Sequence, residues 1–250
     1  MEEQFITISF PNKIMTVREY LAFSKNILSE LKAFSDDFKQ LYTWGSEAHH
    51  GKFLKEDLRD FDPVVFEQIK DEKIAYVNPD KTNKDFTLDS RSFIGFSNSY
   101  STDKDYKKEQ ITITISAGEY DSNLKKNALL NFEFSKTLQT KINYSKMMEL
   151  LQFGIELVTP IYGRVISDEF RDKIEEAYGE SDCEIGWINY FSDERVFSLL
   201  PEGIGKKKLS DGGCIFWLSE KKVSSIDEQS IYKALEIREI LSREGLCNIK

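Results

Sequence analysis

The chain has few of the residues on which most metal and redox sites depend. It contains 2 histidines and 3 cysteines among 250 residues. Cys183, Cys214 and Cys247 lie far apart in the sequence, and no C-x-x-C pair occurs. The sequence therefore indicates neither a zinc ribbon nor a thioredoxin-like site. An odd number of widely spaced cysteines favours buried, reduced thiols in a cytosolic protein.

Long apolar runs are also missing. No run approaches the roughly 20 residues that a membrane-spanning helix needs. Residues 1–4 are acidic and lack the basic start of a secretory signal peptide. We therefore expect a cytoplasmic protein with no membrane partner.

The sequence lacks the recognised catalytic and nucleotide-binding motifs. G-x-S-x-G, H-E-x-x-H and G-x-G-x-x-G do not occur. Residues 203–208 are similar to a phosphate loop, but Leu200 stands at the first glycine position and Lys207 at the serine or threonine position. Because no nucleophile, base or cofactor loop is identifiable, we expect a protein that is not an enzyme and has no cofactor.

The adjacent pair His49-His50 leaves one enzymatic alternative open. A metal site would need a third ligand, which Glu47, Asp57 or Asp60 could supply, and would suit a metal-dependent hydrolase. Adjacent side chains in a helix or strand point apart, which argues against chelation by both rings. The sequence therefore favours a solvated loop here, with no bound metal.

Acidic residues, in contrast, are abundant. The chain has 43 Asp and Glu against 34 Lys and Arg, for a net charge of −9. Phosphate backbones repel such a chain, so we expect no nucleic-acid partner, and a basic protein partner is favoured. Residues 168–184 hold eight acids and two bases, or −6, most of the excess in the chain. A solvated helix face would also explain such acids.

Two surfaces are candidates for contact with a basic partner. The first is a helix over 168–178 that buries Phe170, Ile174, Ala177 and Tyr178, so that the carboxylates of the acidic segment point outward as a ridge. Its candidates are Asp172, Glu175, Glu176 and Glu180. The second comprises the loops 101–109 and 118–126, which combine acids with tyrosines. Its candidates are Asp103, Asp105, Tyr106, Tyr120 and Asp121.

Hydrophobic periodicity predicts an α+β fold, with a mainly antiparallel sheet and helices packed on it. Thr16 and Glu19 form a capping-box pattern at the start of a long helix. Further helices are predicted over 53–61, 63–70, 144–158, 168–178 and 227–244. Strands are predicted over 5–10, 92–100, 110–117, 127–134, 162–166, 183–191 and 212–218, and the three from 92 to 134 form an antiparallel meander. We expect one domain over residues 1–250.

The end of the chain carries a family resemblance. The run 185–191 (Ile-Gly-Trp-Ile-Asn-Tyr-Phe), then Leu200-Pro201, then Gly212-Gly213 before a strand, then a helix ending near Gly245, resembles the immunity protein 52 family of bacterial polymorphic-toxin systems. Related type VI secretion immunity proteins are the second match. The N-terminal strand, the long helix after it, Trp44 and the Thr159-Pro160 boundary fit the same layout, so the resemblance spans most of the chain. Residues 78–126 are not placed against the family.

The resemblance implies binding, not catalysis. Such a protein is expected to occlude a cognate toxin, here a nuclease with a basic cleft, which an acidic inhibitor would complement. The motif residues Gly186, Trp187, Tyr190, Gly212 and Gly213 are expected to be fold determinants, not toxin contacts. An acidic adaptor for another basic protein is the other binding alternative. The sequence does not determine the oligomeric state.

Overall fold

The structure is a computed structural model that describes residues 2–45, 47–71, 76–77, 88, 93–104, 109–119, 126–179 and 183–247. Contacts between residues divide the chain into two compact units. Unit 1 comprises residues 1–10 with 136–250, and unit 2 comprises residues 11–135. A single domain over 1–250 stays a prediction.

Strands and helices alternate irregularly along the described residues, which confirms the α+β class. The strands are β1 (Gln4–Phe10), β2 (Met15–Thr16), β3 (Leu41–Trp44), β4 (Phe53–Leu54), β5 (Tyr76–Val77), β6 (Phe93–Ile94), β7 (Phe96–Ser101), β8 (Ile111–Ala117), β9 (Ala128–Phe134), β10 (Tyr162–Ser167), β11 (Ile188–Phe191), β12 (Gly205–Lys208) and β13 (Cys214–Trp217). The helices are α1 (Val17–Phe34), α2 (Phe61–Asp71), α3 (Lys136–Gln139), α4 (Tyr144–Val158), α5 (Asp168–Tyr178), α6 (Arg195–Leu199) and α7 (Glu228–Arg243), with a 3₁₀ turn at Asp36–Phe38.

Unit 1 contains five strands in the order β12-β13-β11-β10-β1, and each neighbouring pair is antiparallel. The alternating strand β1 buries Ile6 and Ile8. Helix α4 packs against β1 and β10 and buries Leu150 and Leu151. Apolar side chains of α4 and of the strands it covers therefore form much of this core.

Unit 2 contains the predicted meander β7-β8-β9, continued from β7 to β3 and β4, with all neighbouring pairs antiparallel. The isoleucines of β8, at 111, 113 and 115, are buried, and the threonines between them are half-exposed. Helix α1 contributes Tyr20, whose hydroxyl donates to the Ile115 carbonyl at 3.2 Å. A second, small sheet in this unit has the order β2-β6-β5.

The long helices begin and end close to their predicted limits because their signals are local. Thr16 and Glu19 form the predicted capping box at the start of α1. Asn143 caps α4, which ends at Thr159, a left-handed residue with φ 49°. Asp227 caps α7, and Gly245 follows its end with φ 70°.

The predicted helix over residues 53–61 is wrong. Phe53 and Leu54 form β4 and pair with Tyr42 and Leu41 of β3. Leu58 then adopts a φ of 53°, which a right-handed helix does not allow. The next helix, α2, begins at Phe61, two residues before the predicted start. Pairing with a strand distant in sequence overrides the local helical pattern here.

Two predictions near the C-terminus also need correction. The predicted strand over 183–191 is regular only from Ile188, and residues 183–187 are an irregular, largely buried segment. The polar loop between the two predicted strands contains helix α6 and strand β12. The three lysines of β12 pair with β13 and do not lie at the tip of a loop.

The expected set of three reduced thiols is likewise wrong for two cysteines. Cys183 and Cys247 form a disulfide, with Cα atoms 4.7 Å apart. Cys214 is free and buried, and burial raises the pKa of its thiol to about 11. The paired cysteines are 64 residues apart in the sequence, and spacing alone does not predict a disulfide between such distant residues.

Candidate functional site

Helix α5 carries the predicted acidic ridge in unit 1. Ser167 caps the helix through a bond from the Phe170 amide at 3.3 Å. Phe170 and Ile174 are buried, as predicted from the helical period. Asp172 and Glu176 point outward, with 62% and 66% of their side chains exposed. The ridge is therefore a solvated face directed away from the core of unit 1.

Bases of the same helix neutralise part of this ridge. Arg171 pairs with Asp168 at 2.9 Å and approaches Asp172 at 3.4 Å, and Lys173 pairs with Glu176 at 2.6 Å. Between residues 168 and 178, five acids stand against two bases, or −3. Because the acids outnumber the bases, the ridge keeps a net negative charge.

The expectation that all carboxylates of residues 168–184 point outward is wrong for Glu184. Its side chain is 20% exposed and pairs at 2.5 Å with Arg164, which is 15% exposed. Burial raises the pKa of the Glu184 carboxyl, against the opposing effect of Arg164 and Arg171. The Tyr162 hydroxyl donates to the Glu184 carbonyl. Glu184 therefore belongs to the interior of unit 1.

Other members of the ridge differ from expectation as well. Glu175 is half-buried, and its charge raises the pKa of the Glu184 carboxyl, whereas the charge of Arg238 in α7 lowers it. Ala177 was predicted to be buried but is exposed. Glu180 lies outside the described residues, as does the side chain of Tyr178. The outward acids of α5 are Asp168, Glu169, Asp172 and Glu176.

Of the loop candidates, only Asp103 lies in the described part of the chain. Its amide donates to the Ser101 hydroxyl at 3.2 Å, and that hydroxyl donates to the Asp103 carbonyl at 2.6 Å. Asp103 thus sits in a compact turn after β7. Asp105, Tyr106, Tyr120 and Asp121 lie outside the described residues, so this candidate surface stays a prediction.

The Gly186-Trp187 motif lies beside β10, directly before β11, and the Trp187 amide donates to the Val165 carbonyl at 2.7 Å. A Cβ on Gly186 would be 2.3 Å from the Val165 carbonyl oxygen, so only glycine fits. The Asn189 amide oxygen accepts from the Gly186 amide at 2.7 Å. Trp187 is fully buried, and its indole nitrogen donates to the Ser219 carbonyl at 2.8 Å.

The second half of the motif forms a turn around a tyrosine. Tyr190 is 2% exposed, and its hydroxyl donates to Asp211 at 3.1 Å. Burial and the Asp211 carboxylate raise the pKa of this phenol. Gly212 has a φ of 92°, and a Cβ on Gly213 would be 2.6 Å from the Tyr190 ring. These contacts bind the turn to the core of unit 1.

The two histidines point apart. His49 is 3% exposed, so the predicted solvated loop is wrong for this residue. The Lys52 ammonium lies 3.4 Å from the His49 Nδ1, whereas the exposed His50 ring packs on Trp44 at 4.6 Å. Among the described residues, no group of three or more His, Cys, Asp or Glu is placed to hold a metal ion.

Sequence reasoning overlooked two strongly exposed apolar side chains. Ile226 and Tyr232 are 87% and 68% exposed, and both lie near the start of α7. The helical period of α7 was a usable signal, because it places Tyr232 opposite the buried Ala234, Ile237 and Leu241.

Within the described residues, no helix is both long and apolar enough to cross a membrane.

Comparison with known families agrees with the C-terminal motif. The family model described as immunity protein 52 matches residues 72–250, and the chain belongs to this family. The matched range contains α5, the Gly186-Trp187 motif and α7. It also contains residues 78–126, which the sequence resemblance left unplaced. Residues 1–71, with His49, His50 and Trp44, lie outside it, so the resemblance expected for the N-terminal strand and helix is not part of the match.

Solved structures provide a comparison of the fold. The chain is similar to the Pseudomonas aeruginosa T6SS protein PA0821, with a TM-score of 0.50 and 14% identity. The match covers 96% of this chain and 72% of that one. At this identity the similarity concerns the fold alone. Among curated proteins, none matches the chain.

Proposed function

We propose that this chain binds a cognate toxin and neutralises it by occluding its active cleft, and that the toxin is a basic nuclease. Membership of the immunity protein 52 family supports the immunity role. The similar fold in Pseudomonas aeruginosa is titled a T6SS protein, which is consistent with a toxin delivered by type VI secretion.

The observation that carries the nuclease assignment is the placement of negative charge. Asp172 and Glu176 are fixed on a helix whose apolar side is buried, so they face any partner that approaches α5. A nuclease cleft that binds DNA must be rich in Lys and Arg. Electrostatic attraction between the negative ridge and a positive cleft would accelerate association and disfavour acidic competitors.

We infer that the chain acts by binding, without catalysis or a cofactor. Stoichiometry separates this proposal from the alternative of a metal-dependent hydrolase that uses His49 and His50. An inhibitor that occludes its target must be present at one copy or more per toxin molecule, whereas an enzyme would act at far lower ratios. An adaptor for another basic protein would bind without protecting the cell.

We also propose that the protein works in the cytoplasm, where a nuclease meets its DNA substrate. In that reducing compartment the pair Cys183 and Cys247 would be held as thiols. The proposal therefore requires that the fold and the protection persist without the disulfide. The variant C183A/C247A, expressed in the cytoplasm, should protect cells as the wild type does.

Co-expression tests the proposed function directly. The second protein is the C-terminal domain of any secreted effector that gene sequencing finds next to the gene of this chain. We expect the domain alone to degrade cellular DNA and stop growth, and one equivalent of this chain to restore both. The purified pair should co-elute at 1:1 stoichiometry. Protection without a complex, or at strongly substoichiometric amounts of this chain, would contradict occlusion.

A further inference from the structure

The cysteine pair of unit 1 joins two sulfurs with unequal access to solvent. Cys183 is 0% exposed, whereas Cys247 is half-buried in the turn after α7. A thiolate breaks a disulfide only at a sulfur that it reaches, so the rate of exchange depends on access. A small thiol from solution can therefore attack at Cys247, with Cys183 as the sulfur that leaves.

A hydrogen-bonded turn holds Cys247 in this position. Gly245 has a φ of 70°, and the Leu246 amide donates to the Leu241 carbonyl at 2.9 Å, so the chain folds back after α7. The Cys247 Sγ lies 3.8 Å from the Arg238 carbonyl oxygen. Once the disulfide is reduced, the Cys247 thiol can donate to this oxygen. Reduction therefore leaves the sulfur with a partner on the same helix.

The segment that carries Cys183 is fixed on both sides. Before it, the Gly179 carbonyl accepts from the Arg238 guanidinium at 2.7 Å. After it, the Glu184 carboxylate pairs with Arg164 of β10 at 2.5 Å. Because Arg238 belongs to α7, the same residue contacts the segment before Cys183 and the sulfur of Cys247.

These contacts do not involve the disulfide bond, so they should keep the two cysteines close together after reduction. Their Cα atoms are 4.7 Å apart, a separation that a disulfide spans. In the reduced protein each sulfur would thus meet the other at a high effective concentration. Cys183 should therefore displace any small thiol that becomes attached to Cys247, without unfolding of the chain.

The third cysteine is excluded from this chemistry. Cys214 on β13 is 0% exposed, and burial raises the pKa of its thiol to about 11. A thiol without solvent access that is hardly ionised near neutral pH is inert. Cys214 is therefore an internal control for the reactivity of the pair.

We propose that Cys183 and Cys247 form a thiol–disulfide exchange site for low-molecular-weight thiols, in which Cys247 is attacked and Cys183 resolves. In oxidation, the Cys247 thiolate attacks one sulfur of a small disulfide such as oxidised glutathione, and a small thiolate leaves. The Cys183 thiolate then attacks the Cys247 Sγ and expels the second small thiolate. Two electrons pass from the cysteines to the small disulfide, and the two cysteine protons go to the two small thiolates. Reduction by two small thiols reverses these steps.

The consequence of exchange is a change in the stability of the fold. The bond closes the chain between residues 183 and 247, which contains β11, β12, β13 and α7. Closing this loop lowers the conformational entropy of the unfolded chain, so oxidation should raise the melting temperature. Asp172 and Glu176 of α5 lie outside the closed loop. Exchange involves no toxin, so the site is independent of the proposed function.

Single-cysteine substitutions test the two roles. Each purified variant is reduced and given oxidised glutathione at about pH 8, where an accessible thiol is partly ionised, and bound glutathione is counted by mass spectrometry. In Cys183→Ala, Cys247 should take up one glutathione per chain and keep it, because the resolving sulfur is absent. Cys247→Ala is the matched control, since its two thiols are buried and should react at least about tenfold more slowly. Circular dichroism checks that both variants are folded.

The wild type tests reversibility and does not depend on either variant. The reduced chain given oxidised glutathione should regain the internal disulfide with no glutathione attached. Excess reduced glutathione should open it again in native buffer and lower the melting temperature. Equal uptake by the two variants, or none by a folded Cys183→Ala, would overturn the assigned roles. A glutathione that stays on the wild type would contradict resolution by Cys183. A disulfide that opens only in denaturant would be purely structural, and the exchange site would be wrong.

Discussion

At the scale of single residues, the family motif is a set of close contacts. Gly186 lies against the Val165 carbonyl, and Trp187 fills the core of unit 1 while its indole nitrogen bonds the Ser219 carbonyl. The sequence indicated that these residues are structural from their apolar, glycine-bounded context. It could not indicate the partners, because Val165 and Ser219 are remote in the chain and meet the motif only in the folded protein.

Removal of the Trp187 side chain should destabilise the fold strongly. Because the ring is fully buried, Trp187→Ala should lower the free energy of unfolding by about 3–5 kcal/mol. Urea denaturation followed by circular dichroism measures this. Tyr232→Ala is the control, since an exposed ring should change stability by about 0.5 kcal/mol or less. A stable Trp187→Ala variant that no longer binds toxin would place this side chain at the interface.

Alanine at either of two motif glycines should destabilise the fold, but for different physical reasons. Gly186→Ala forces a Cβ onto a backbone carbonyl that cannot move alone, so we expect a loss of about 2–3 kcal/mol. Gly212→Ala has open space but keeps a φ of 92°, which should cost about 1–2 kcal/mol. Thermal melts of both variants would compare them. A greater loss in Gly212→Ala would show that the contact at Val165 relaxes easily.

The contribution of Glu184 to the free energy of unfolding should depend on pH in the acidic range. Burial raises its folded pKa above the ordinary value of 4.5, so the folded chain holds this proton more tightly than the unfolded chain. The resulting stabilisation is complete below about pH 4.5 and is lost as pH rises through the raised pKa. The unfolding free energy of the wild type minus that of Glu184→Gln should therefore fall from pH 4 to pH 7. A difference that increases with pH would contradict the direction of the shift.

At the scale of elements, local signals predicted helices better than strands. The limits of α1, α4, α5 and α7 follow from apolar periodicity and caps such as Thr16 and Ser167. Strands β4 and β12 escaped prediction because their sequences, Phe-Leu and Gly-Lys-Lys-Lys, become strands only through β3 and β13. The acidic face of α5 was predictable from the helical period, but the inward turn of Glu184 depends on Arg164 of β10.

The ridge on α5 should control the rate of toxin association. Asp172→Lys/Glu176→Lys should slow association and reduce its salt dependence, with a smaller change in dissociation, because rim charges act mainly on encounter. Glu175 is left unchanged because its charge raises the pKa of the partly buried Glu184 carboxyl. Stopped-flow kinetics at two salt concentrations would measure both rates.

A matched pair on another helix controls for net charge. Glu149 and Glu156 are exposed residues of α4, so Glu149→Lys/Glu156→Lys changes the total charge by the same amount within unit 1. If both double variants slow association equally, the effect comes from total charge and not from the ridge.

At the scale of the whole molecule, the disulfide is the largest departure from the sequence prediction. It joins residues 64 positions apart and ties the segment before β11 to the end of the chain after α7. Loop-closure entropy for this separation corresponds to about 4 kcal/mol. The motif and the exposed face of α7 both lie within the closed segment, so their relative order benefits from the bond.

Thiol counting tests the cysteine assignments. Cys214 is buried and its pKa is raised to about 11, so the native, oxidised protein should show almost no reactive thiol at pH 8. Unfolding without reductant should expose one thiol per chain, and unfolding after reduction should expose three. Three thiols without reductant would restore the reduced state that the sequence suggested.

The lysines of β12 have a consequence for the protein at high concentration. β12 is the last strand in the order described for unit 1, and Lys207 and Lys208 on it are exposed. An open strand edge invites pairing with the same edge of another copy, and like charges oppose this. We therefore expect the chain to resist fibril-like stacking at high concentration, and neutral residues at 207 and 208 to weaken that resistance.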